Sequence, residues 1–393
     1  MPFAVYMLAL AVFAQGTSEF MLAGLVPDIA ADLSVSIPAA GNLTAAFALG
    51  MIAGAPLMAV LSLRWPRRRA LLIFLITFLL VHVIGAVTGS YPVLMGTRVV
   101  AALANSGFLA VALATAGTLA PSGAKGRATS VLLGGVTVAC VAGVPGGALL
   151  GQAWGWRAAF WAVAAVSVPA VWAILRSVPA GPPPSASTSA RRELGALRDS
   201  RLLTTLLLGA LVNGGTFCAF TFLAPLLTEV AGVGEGWVPA LLALFGLGSF
   251  AGVTAGGRFA DTRPRRVVLF GGGCLAVCWA AFALVAGNPA LAVVLVPVVA
   301  ALSFGVGSTL IARALYAAPT APTLAGGFAT AAFNVGGALG PWAGGLAIGA
   351  GFGFRAPLWV SAVLVALALI VAAASGFGRP ERVSRPHSAA TSR

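Results

Sequence analysis

Three ionisable side chains lie inside stretches of the chain that are otherwise apolar. Glu19, Arg98 and His82 each interrupt a hydrophobic run long enough to cross a lipid bilayer. Charged groups in hydrocarbon are costly, so such residues are usually paired or face a water-filled cavity, and they mark ion and proton pathways. The pattern therefore indicates proton binding and release within a membrane.

Glu19 is the only acidic residue that we place within the bilayer. Burial favours the neutral carboxyl group and a nearby cation favours the ionised one, so a group under both influences can exchange a proton as a cavity opens to either side. A plainer interpretation is a fixed ion pair with Arg98, which could also extend to the outer interface. His82 could titrate near neutral pH or simply pack through a hydrogen bond.

Polar and aromatic side chains near the middle of other spans are candidates for binding a substrate. A largely apolar small molecule needs aromatic walls and a few placed polar groups. An amide in hydrocarbon needs a partner, whereas phenylalanines in membrane helices usually face lipid or neighbouring helices. The candidates are Gln15, Phe47, Asn105, Phe108, Asn213, Phe217, Phe220, Phe333 and Asn334.

The elements that must position these residues are predicted membrane-spanning helices. Hydrophobic residues make up 60% of the 393-residue chain and charged residues 8%, and the mean hydropathy is +1.01, which excludes an ordinary soluble protein. Twelve apolar runs are long enough to cross a bilayer. They cover about 4–26, 41–63, 70–87, 92–118, 128–150, 158–175, 202–227, 237–257, 267–286, 291–315, 325–349 and 357–375.

Two motifs recur at one offset, which indicates a duplicated unit. The basic cluster at 64–68 returns at 262–266, and the aromatic motif at 154–157 returns at 352–355, each 198 residues later. We therefore predict an all-α membrane protein with twelve transmembrane helices in two six-helix pseudo-repeated halves. The halves are 1–176 and 202–376, joined by a proline- and serine-rich cytoplasmic linker at 177–201 and followed by a polar tail at 377–393. Parallel repeats in a membrane chain are typical of transporters.

The net charge of +14 is explained by topology. Of the 23 lysines and arginines, 20 fall on alternate loops that share one side, two on the other side and Arg98 within a span. This bias predicts a multi-pass protein of the cell's inner membrane with both termini cytoplasmic, and it argues against nucleic acid as a partner. We expect a monomer in the lipid bilayer, with no cofactor and no metal site.

Glycine series on the fifth and eleventh spans predict close helix packing. Gly135, Ala139, Gly143, Gly147 and Gly151 recur every fourth residue, as do Gly336, Gly340 and Gly344. Small residues at this spacing let two helix backbones approach closely in lipid. Pro145 and Pro341 accompany the two series, and a proline adds a kink or a weak point. The same feature in both halves suggests a shared mechanical role.

The basic loops resemble those of the major facilitator superfamily. Gly257-Arg258-Phe259-Ala260-Asp261, followed by Arg265-Arg266, is similar to the family's loop of glycine, three residues, aspartate and a basic cluster. The first half departs from it, because Leu63 stands in the aspartate position while Arg64, Arg67 and Arg68 remain. Residues 143–147 and 340–345 resemble the glycine–proline motif of the family's antiporters. These resemblances imply gating roles for Arg64, Arg67, Arg68, Gly143, Pro145, Gly147, Asp261, Arg265, Gly340 and Pro341.

Further motifs resemble the proton-coupled drug exporters of that family. Arg98 is similar to their membrane arginine, and residues 15–24 to the first helix of bacterial chloramphenicol-resistance exporters. The resemblance implies proton-coupled efflux of chloramphenicol or a related hydrophobic drug by alternating access, with the drug and a proton as partners. A sugar or metabolite exporter of the same family is the alternative, and a passive facilitator would not need Glu19. A membrane enzyme would need clustered acidic or histidine residues, which the nine scattered acids do not supply.

Overall fold

A computed structural model describes residues 2–22, 25–35, 37–62, 65–121, 123–180, 193–321, 324–375 and 377. Twelve long helices run through this part of the chain, and we number them α1 to α12. They are Phe3–Met21, Ile37–Ser62, Arg67–Val87, Tyr91–Leu119, Lys125–Trp154, Arg157–Ser177, Ser200–Thr221, Val238–Ala260, Pro264–Val285, Pro289–Ala317, Leu324–Ala347 and Ala356–Ala374. The all-α fold predicted from the sequence is confirmed.

Hydropathy explains why these segments form helices that can sit in a membrane. Within the described ranges, nine of the twelve contain a segment long and apolar enough to cross a bilayer. Shorter apolar helical segments, Phe3–Glu19 and Asn42–Ala55, lie within α1 and α2. In hydrocarbon only a helix satisfies every backbone N–H and C=O group within its own segment, which selects this structure for each apolar run.

The offset of 198 residues holds for the helices as well as for the motifs. Shifting Tyr91–Leu119, which is α4, by 198 gives the bounds of α10, Pro289–Ala317. The other helices of α1 to α6 coincide with those of α7 to α12 to within a few residues, apart from α11, which passes into a π-turn at Ile348–Phe352. The chain is therefore two pseudo-repeated bundles of six helices.

Matching helices pack against each other in the two bundles. Helix α1 packs along α5, and α7 packs along α11. The bundles meet where α5 contacts α8 and where α2 and α4 contact α11. We call the end of the molecule that carries the α2–α3, α4–α5, α6–α7, α8–α9 and α10–α11 connections the basic face, and the other end the opposite face.

Glycines allow the close α1–α5 and α7–α11 contacts. A methyl group at Gly135 would collide with the backbone of α1 and one at Gly143 would press tightly against it, and one at Gly336 or Gly340 would collide with the backbone of α7. These contacts confirm the close packing predicted from the glycine series. Helix α5 continues through position 145, and Pro341 lies inside α11. A mechanical role for these residues stays a prediction.

The first span ends earlier than the sequence predicts. Helix α1 stops at Met21 rather than at residue 26, and a short helix, Val26–Asp32, follows with a proline in its first turn. Proline is favoured there because the missing N–H would have no partner in any case. Arg64, most of the predicted linker (181–192) and the tail from 378 onwards lie outside the described residues.

Replacing Gly340 by alanine tests the α7–α11 contact. We expect a loss of about 1–3 kcal/mol of stability, because the added methyl group must push apart two helix backbones. Gly117→Ala in α4 is the control, since nothing lies within 4 Å of its added methyl group. The measurement is thermal unfolding in detergent. Equal midpoints for the two variants would contradict the close contact.

Candidate functional site

A cavity of about 300 Å³ lies between the two bundles. Four helices of the first half (α1, α2, α4 and α5) and four of the second (α7, α8, α10 and α11) contribute to its wall. Glu19, Phe47, Asn213, Phe217, Phe333 and Asn334, all candidates from the sequence, line it. The volume is within the range of small-molecule sites in proteins.

Four other substrate candidates lie outside this wall. Gln15 is buried one helical turn before Glu19, and both polar atoms of its amide have no described hydrogen-bond partner. Asn105 and Phe108 are buried in α4. Phe220 packs on Phe245, with 4.7 Å between the ring centroids. The structure thus brings five of the nine substrate candidates around the cavity, together with the proton-coupling candidate Glu19.

Hydroxyl groups and one further aromatic ring complete the wall. Thr44, Ser303, Ser308, Thr330 and Phe304 line the cavity, and sequence reasoning did not single them out. The internal repeat holds a signal for one of them, because Ser303 is 198 residues after the candidate Asn105. Serine and threonine are common in membrane helices, where they bond to their own backbone, so their presence alone did not mark a site.

The polar groups of the cavity are only partly occupied by contacts within the protein. Asn213 donates its amide N–H to the Phe333 carbonyl at 2.7 Å, and Asn334 donates to the Thr330 carbonyl at 2.9 Å. The Ser303 hydroxyl is buried with no described partner. Since an amide has two N–H donors and an accepting oxygen, hydrogen-bonding capacity is left over for a ligand or for water.

Arg98 lies behind this wall and is held by Ser18. Its Nη1 donates to Ser18 Oγ at 2.8 Å and its Nη2 to the Ser18 carbonyl at 3.0 Å. The guanidinium carbon is 4.4 Å from the centroid of the Phe47 ring, a cation–π distance. Arg98 is 1% exposed, so it is a fully buried cation.

His82 completes the cluster around Ser18. Its Nε2 lies 2.6 Å from Ser18 Oγ, and its Nδ1 lies 2.6 Å from the Phe78 carbonyl. A carbonyl can only accept, so Nδ1 carries the proton, and in the neutral ring Nε2 then accepts from the serine. Ser18 therefore accepts from Arg98 and donates to His82, so it joins two of the three predicted proton-coupling residues.

Glu19 follows Ser18 in the chain but points to different surroundings. Its side chain lines the cavity, and it forms no ion pair with Arg98 within 4 Å, both residues being among those described. The cation therefore does not neutralise the carboxyl group by direct contact. This arrangement leaves the carboxyl group available to the cavity.

Asp261 joins the two halves at the basic face. It accepts from the backbone N–H groups of Gly126, at 2.8 Å, and Arg127, at 3.2 Å, where α5 begins. Tyr316, at the end of α10, donates its hydroxyl to the same carboxylate at 3.0 Å. A negative charge is favoured at a helix N-terminus, where unpaired N–H groups converge. The contact holds the bundles together below the cavity on this face.

The other gating candidates at the basic face lie apart from Asp261. Arg67 donates to the hydroxyl of Thr118 at the end of α4. Arg68 is half-buried and Arg265 is exposed. Tyr316, which sequence reasoning missed, is a third partner of the contact around Asp261.

At the opposite face an ion pair fastens the first half internally. Arg157 Nη1 lies 2.7 Å from Asp32 Oδ2, and Trp156 Nε1 donates to the same oxygen at 3.2 Å. The hydrogen bond from Arg157 holds the pKa of the Asp32 carboxyl below its usual value. Arg157 also donates to the Thr88 carbonyl, so one arginine connects three segments of the same bundle.

Comparison with known proteins places these features in a family context. The family model described as Major Facilitator Superfamily matches residues 8–326. A protein of Streptomyces lividans named "Chloramphenicol resistance protein" is 56% identical over 375 residues, 95% of this chain and 96% of that protein. "Inner membrane transport protein YdhP" of Escherichia coli K12 is 34% identical over 376 residues, 96% of each.

Solved structures share the fold at low sequence identity. The fucose transporter FucP in the outward conformation superposes with a TM-score of 0.78 at 13% identity, covering 94% of this chain and 98% of that one. The human organic anion transporter MFSD10 gives a TM-score of 0.71 at 18% identity, covering 94% and 97%.

Replacing Ser18 by alanine tests the cluster. We expect a loss of about 1–3 kcal/mol of stability, because the buried groups of Arg98 and His82 each lose a hydrogen-bond partner. Thr17→Ala is the matched control, since the Thr17 hydroxyl bonds only to the Phe13 carbonyl among the described residues. The measurement is the thermal unfolding midpoint in detergent. A Ser18 variant as stable as the control would show that the cluster is not a stabilising unit.

Proposed function

Because the chain belongs to the Major Facilitator Superfamily, we propose that it exports chloramphenicol or a related hydrophobic drug across the cell membrane in exchange for protons. The observation that carries the proposal is a carboxyl group, Glu19, in the wall of a drug-sized and mostly apolar cavity between the two halves. The similarity to the Streptomyces lividans protein supports the choice of drug. Transport moves the drug unchanged, so the proposal includes no enzymatic step.

The lining of the cavity suits an uncharged molecule with both apolar and hydrogen-bonding parts. Phe47, Phe217 and Phe333 supply aromatic surface. Contacts between this surface and apolar groups of a ligand are not directional, unlike hydrogen bonds. Asn213 and Ser303 supply the polar groups that orient a ligand. Chloramphenicol combines an aromatic ring with hydroxyl and amide groups, so it can use both kinds of surface.

Glu19 is the proposed proton carrier, and Arg98 and His82 support it. Burial disfavours the ionised carboxylate, whereas the charge of Arg98 favours it, so the balance shifts when the halves move and the access of water changes. Drug binds while Glu19 is ionised and leaves on the other side, and proton binding to Glu19 then resets the carrier. Gln15, one turn away and without a described partner, is placed to bond Glu19 or water during this cycle.

The proton gradient supplies enough energy for export of a neutral drug. One returning proton gains about 2.3 kcal/mol from a potential of 100 mV and about 1.4 kcal/mol from one pH unit. Their sum, about 3.7 kcal/mol, supports a drug gradient of several hundredfold at one proton per drug, since 1.4 kcal/mol is a factor of ten. The proposal needs no ATP or other cofactor.

Alternating access follows from the way the halves meet. We assign the basic face to the cytoplasm, with both termini on that side, because positively charged loops stay inside. The contact of Asp261 with α5 then closes the cavity towards the cytoplasm. Residues 1–176 and 202–376 would rock against each other as units, joined by the linker at 177–201, with the tail at 377–393 outside both. Since one chain supplies the whole described wall, a monomer can carry out the cycle.

Glu19→Gln tests the coupling. We expect drug efflux driven by the proton gradient to fall at least about tenfold, equivalent to about 1.4 kcal/mol, because glutamine resembles a carboxyl group that cannot release its proton. The measurement is accumulation of radiolabelled chloramphenicol in cells expressing each variant, with and without a protonophore. Glu229→Gln, the same change at an exposed acid, is the matched control.

Three outcomes of this experiment separate the possibilities. Low accumulation that both the protonophore and Glu19→Gln abolish supports exchange of drug for protons through Glu19. Export that survives the substitution would move the proton site elsewhere, with His82 the next to test. If the unaltered protein does not lower accumulation at all, the drug assignment fails and a sugar or metabolite becomes the substrate to test.

Phe217→Ala tests the aromatic wall. We expect the KM for drug efflux to rise by about tenfold, the effect of losing about 1.4 kcal/mol of binding, while the amount of folded protein stays unchanged. Phe270→Ala is the control, because Phe270 is 77% exposed on the outside of the bundle. The measurement is the drug dependence of efflux in membrane vesicles. An unchanged KM would remove Phe217 from the binding surface.

A further inference from the structure

The internal repeat predicts a second contact at the basic face, opposite the one made by Asp261. Shifting Gly126, which donates to Asp261, by 198 residues gives Leu324, the first residue of α11. Shifting Asp261 back by 198 gives Leu63, which has no carboxylate and lies outside the described residues. By sequence alone, the start of α11 has therefore lost its acidic partner.

A different carboxylate occupies the start of α11. The backbone N–H of Leu324 donates to Oε2 of Glu193 at 2.9 Å. Glu193 belongs to the segment between the two halves, yet its side chain is 0% exposed. A charged side chain is rarely buried to this extent unless it is paired or hydrogen-bonded. The linker therefore supplies the group that the repeat lacks.

The surroundings of Glu193 in the first half partly resemble those of Asp261 in the second. Arg67, at the start of α3, lies close enough for Glu193 to stabilise its charge. Arg67 also bonds to Thr118, at the end of α4. The residue 198 positions after Thr118 is Tyr316, which bonds to Asp261. Both sides of the basic face thus combine a carboxylate with the start of a helix, and the residue at the end of α4 or α10 bonds to Arg67 on one side and to the carboxylate itself on the other.

We propose that Glu193 is a gating residue that takes the place of the missing acid at position 63. Its charge acts on Arg67 of the first half through space, and its carboxylate accepts from the N–H of Leu324 at the start of α11 in the second half. The contact forms when the basic face is closed and must break when that face opens. Charge-assisted hydrogen bonds of this kind are stronger than neutral ones, so the linker takes part in setting the balance between the two states.

Glu193→Ala tests the proposal through the separation of the halves. Spin labels at Pro121→Cys and Thr320→Cys, both exposed at the basic face in different halves, report that distance in a protein whose native cysteines are replaced. We expect the population with the longer distance to rise about two- to fivefold, the usual effect of one charge at a helix N-terminus. Glu193→Gln is a second variant, in case the alanine variant does not fold. It keeps the size of the side chain and should shift the population in the same direction.

Two further variants make the test specific. Asp199→Asn is the matched control, because Asp199 caps α7 through the N–H of Arg201 within the same segment and should leave the distance unchanged. Leu63→Asp added to Glu193→Ala should restore the closed population, since it returns an acid to the repeat position.

The proposal is overturned if neither Glu193 variant changes the distance, or if Asp199→Asn changes it equally. Failure of Leu63→Asp to restore the distance would overturn the claim that Glu193 replaces the missing acid. The inference rests on the alternating access described above, but the distance is measured without drug. A negative result here is therefore distinguishable from a wrong substrate in the efflux assay.

Discussion

The contact between Arg98 and Ser18 is the interaction around which the central site is organised. A cation in the middle of a helix bundle needs several acceptors, and Ser18 offers both its hydroxyl and its carbonyl oxygen. Because these acceptors belong to the residue that precedes Glu19 in the chain, Arg98 is held next to Glu19 but forms its hydrogen bonds with Ser18 instead of with the carboxyl group. The hydroxyl also bonds to His82, so α1, α3 and α4 meet at one serine.

The two halves have the same helices but different chemistry. The residues 198 positions after Glu19, His82 and Arg98 are Phe217, Ala280 and Val296. The three ionisable groups of the central site therefore have no counterparts in the second half, where Phe217 stands at the position that corresponds to the acid. Across the cavity, the wall that carries the acid faces a wall of uncharged polar and aromatic side chains. The two halves thus share a framework of helices and differ in a few side chains, and the proposed separation of proton coupling from drug binding rests on that difference.

The sequence predicts the framework well because it depends on patterns that extend over whole helices. Apolar length and the offset of 198 residues identify α4 and α10 nearly to the residue, and the glycine series identify the α1–α5 and α7–α11 contacts. Polar residues inside apolar spans, such as Glu19 and Asn213, could be found for the same reason. Ser18 and Tyr316 could not, because their importance depends on partners about 80 and 55 residues away in the chain. Glu193 was hidden by the composition of the linker around it, which is typical of a segment without a core.

The acid–helix contacts at the basic face use main-chain donors on one side. Asp261 accepts from the N–H groups of residues 126 and 127, and Glu193 from that of residue 324. An N–H group is present whatever the side chain, unless the residue is proline. The side chains at 127 and 324 can therefore drift during evolution without any loss of donor. Homologous chains could therefore keep the same contacts between the halves while the residues at their helix starts differ. Among the side chains, only the acids would need to be conserved.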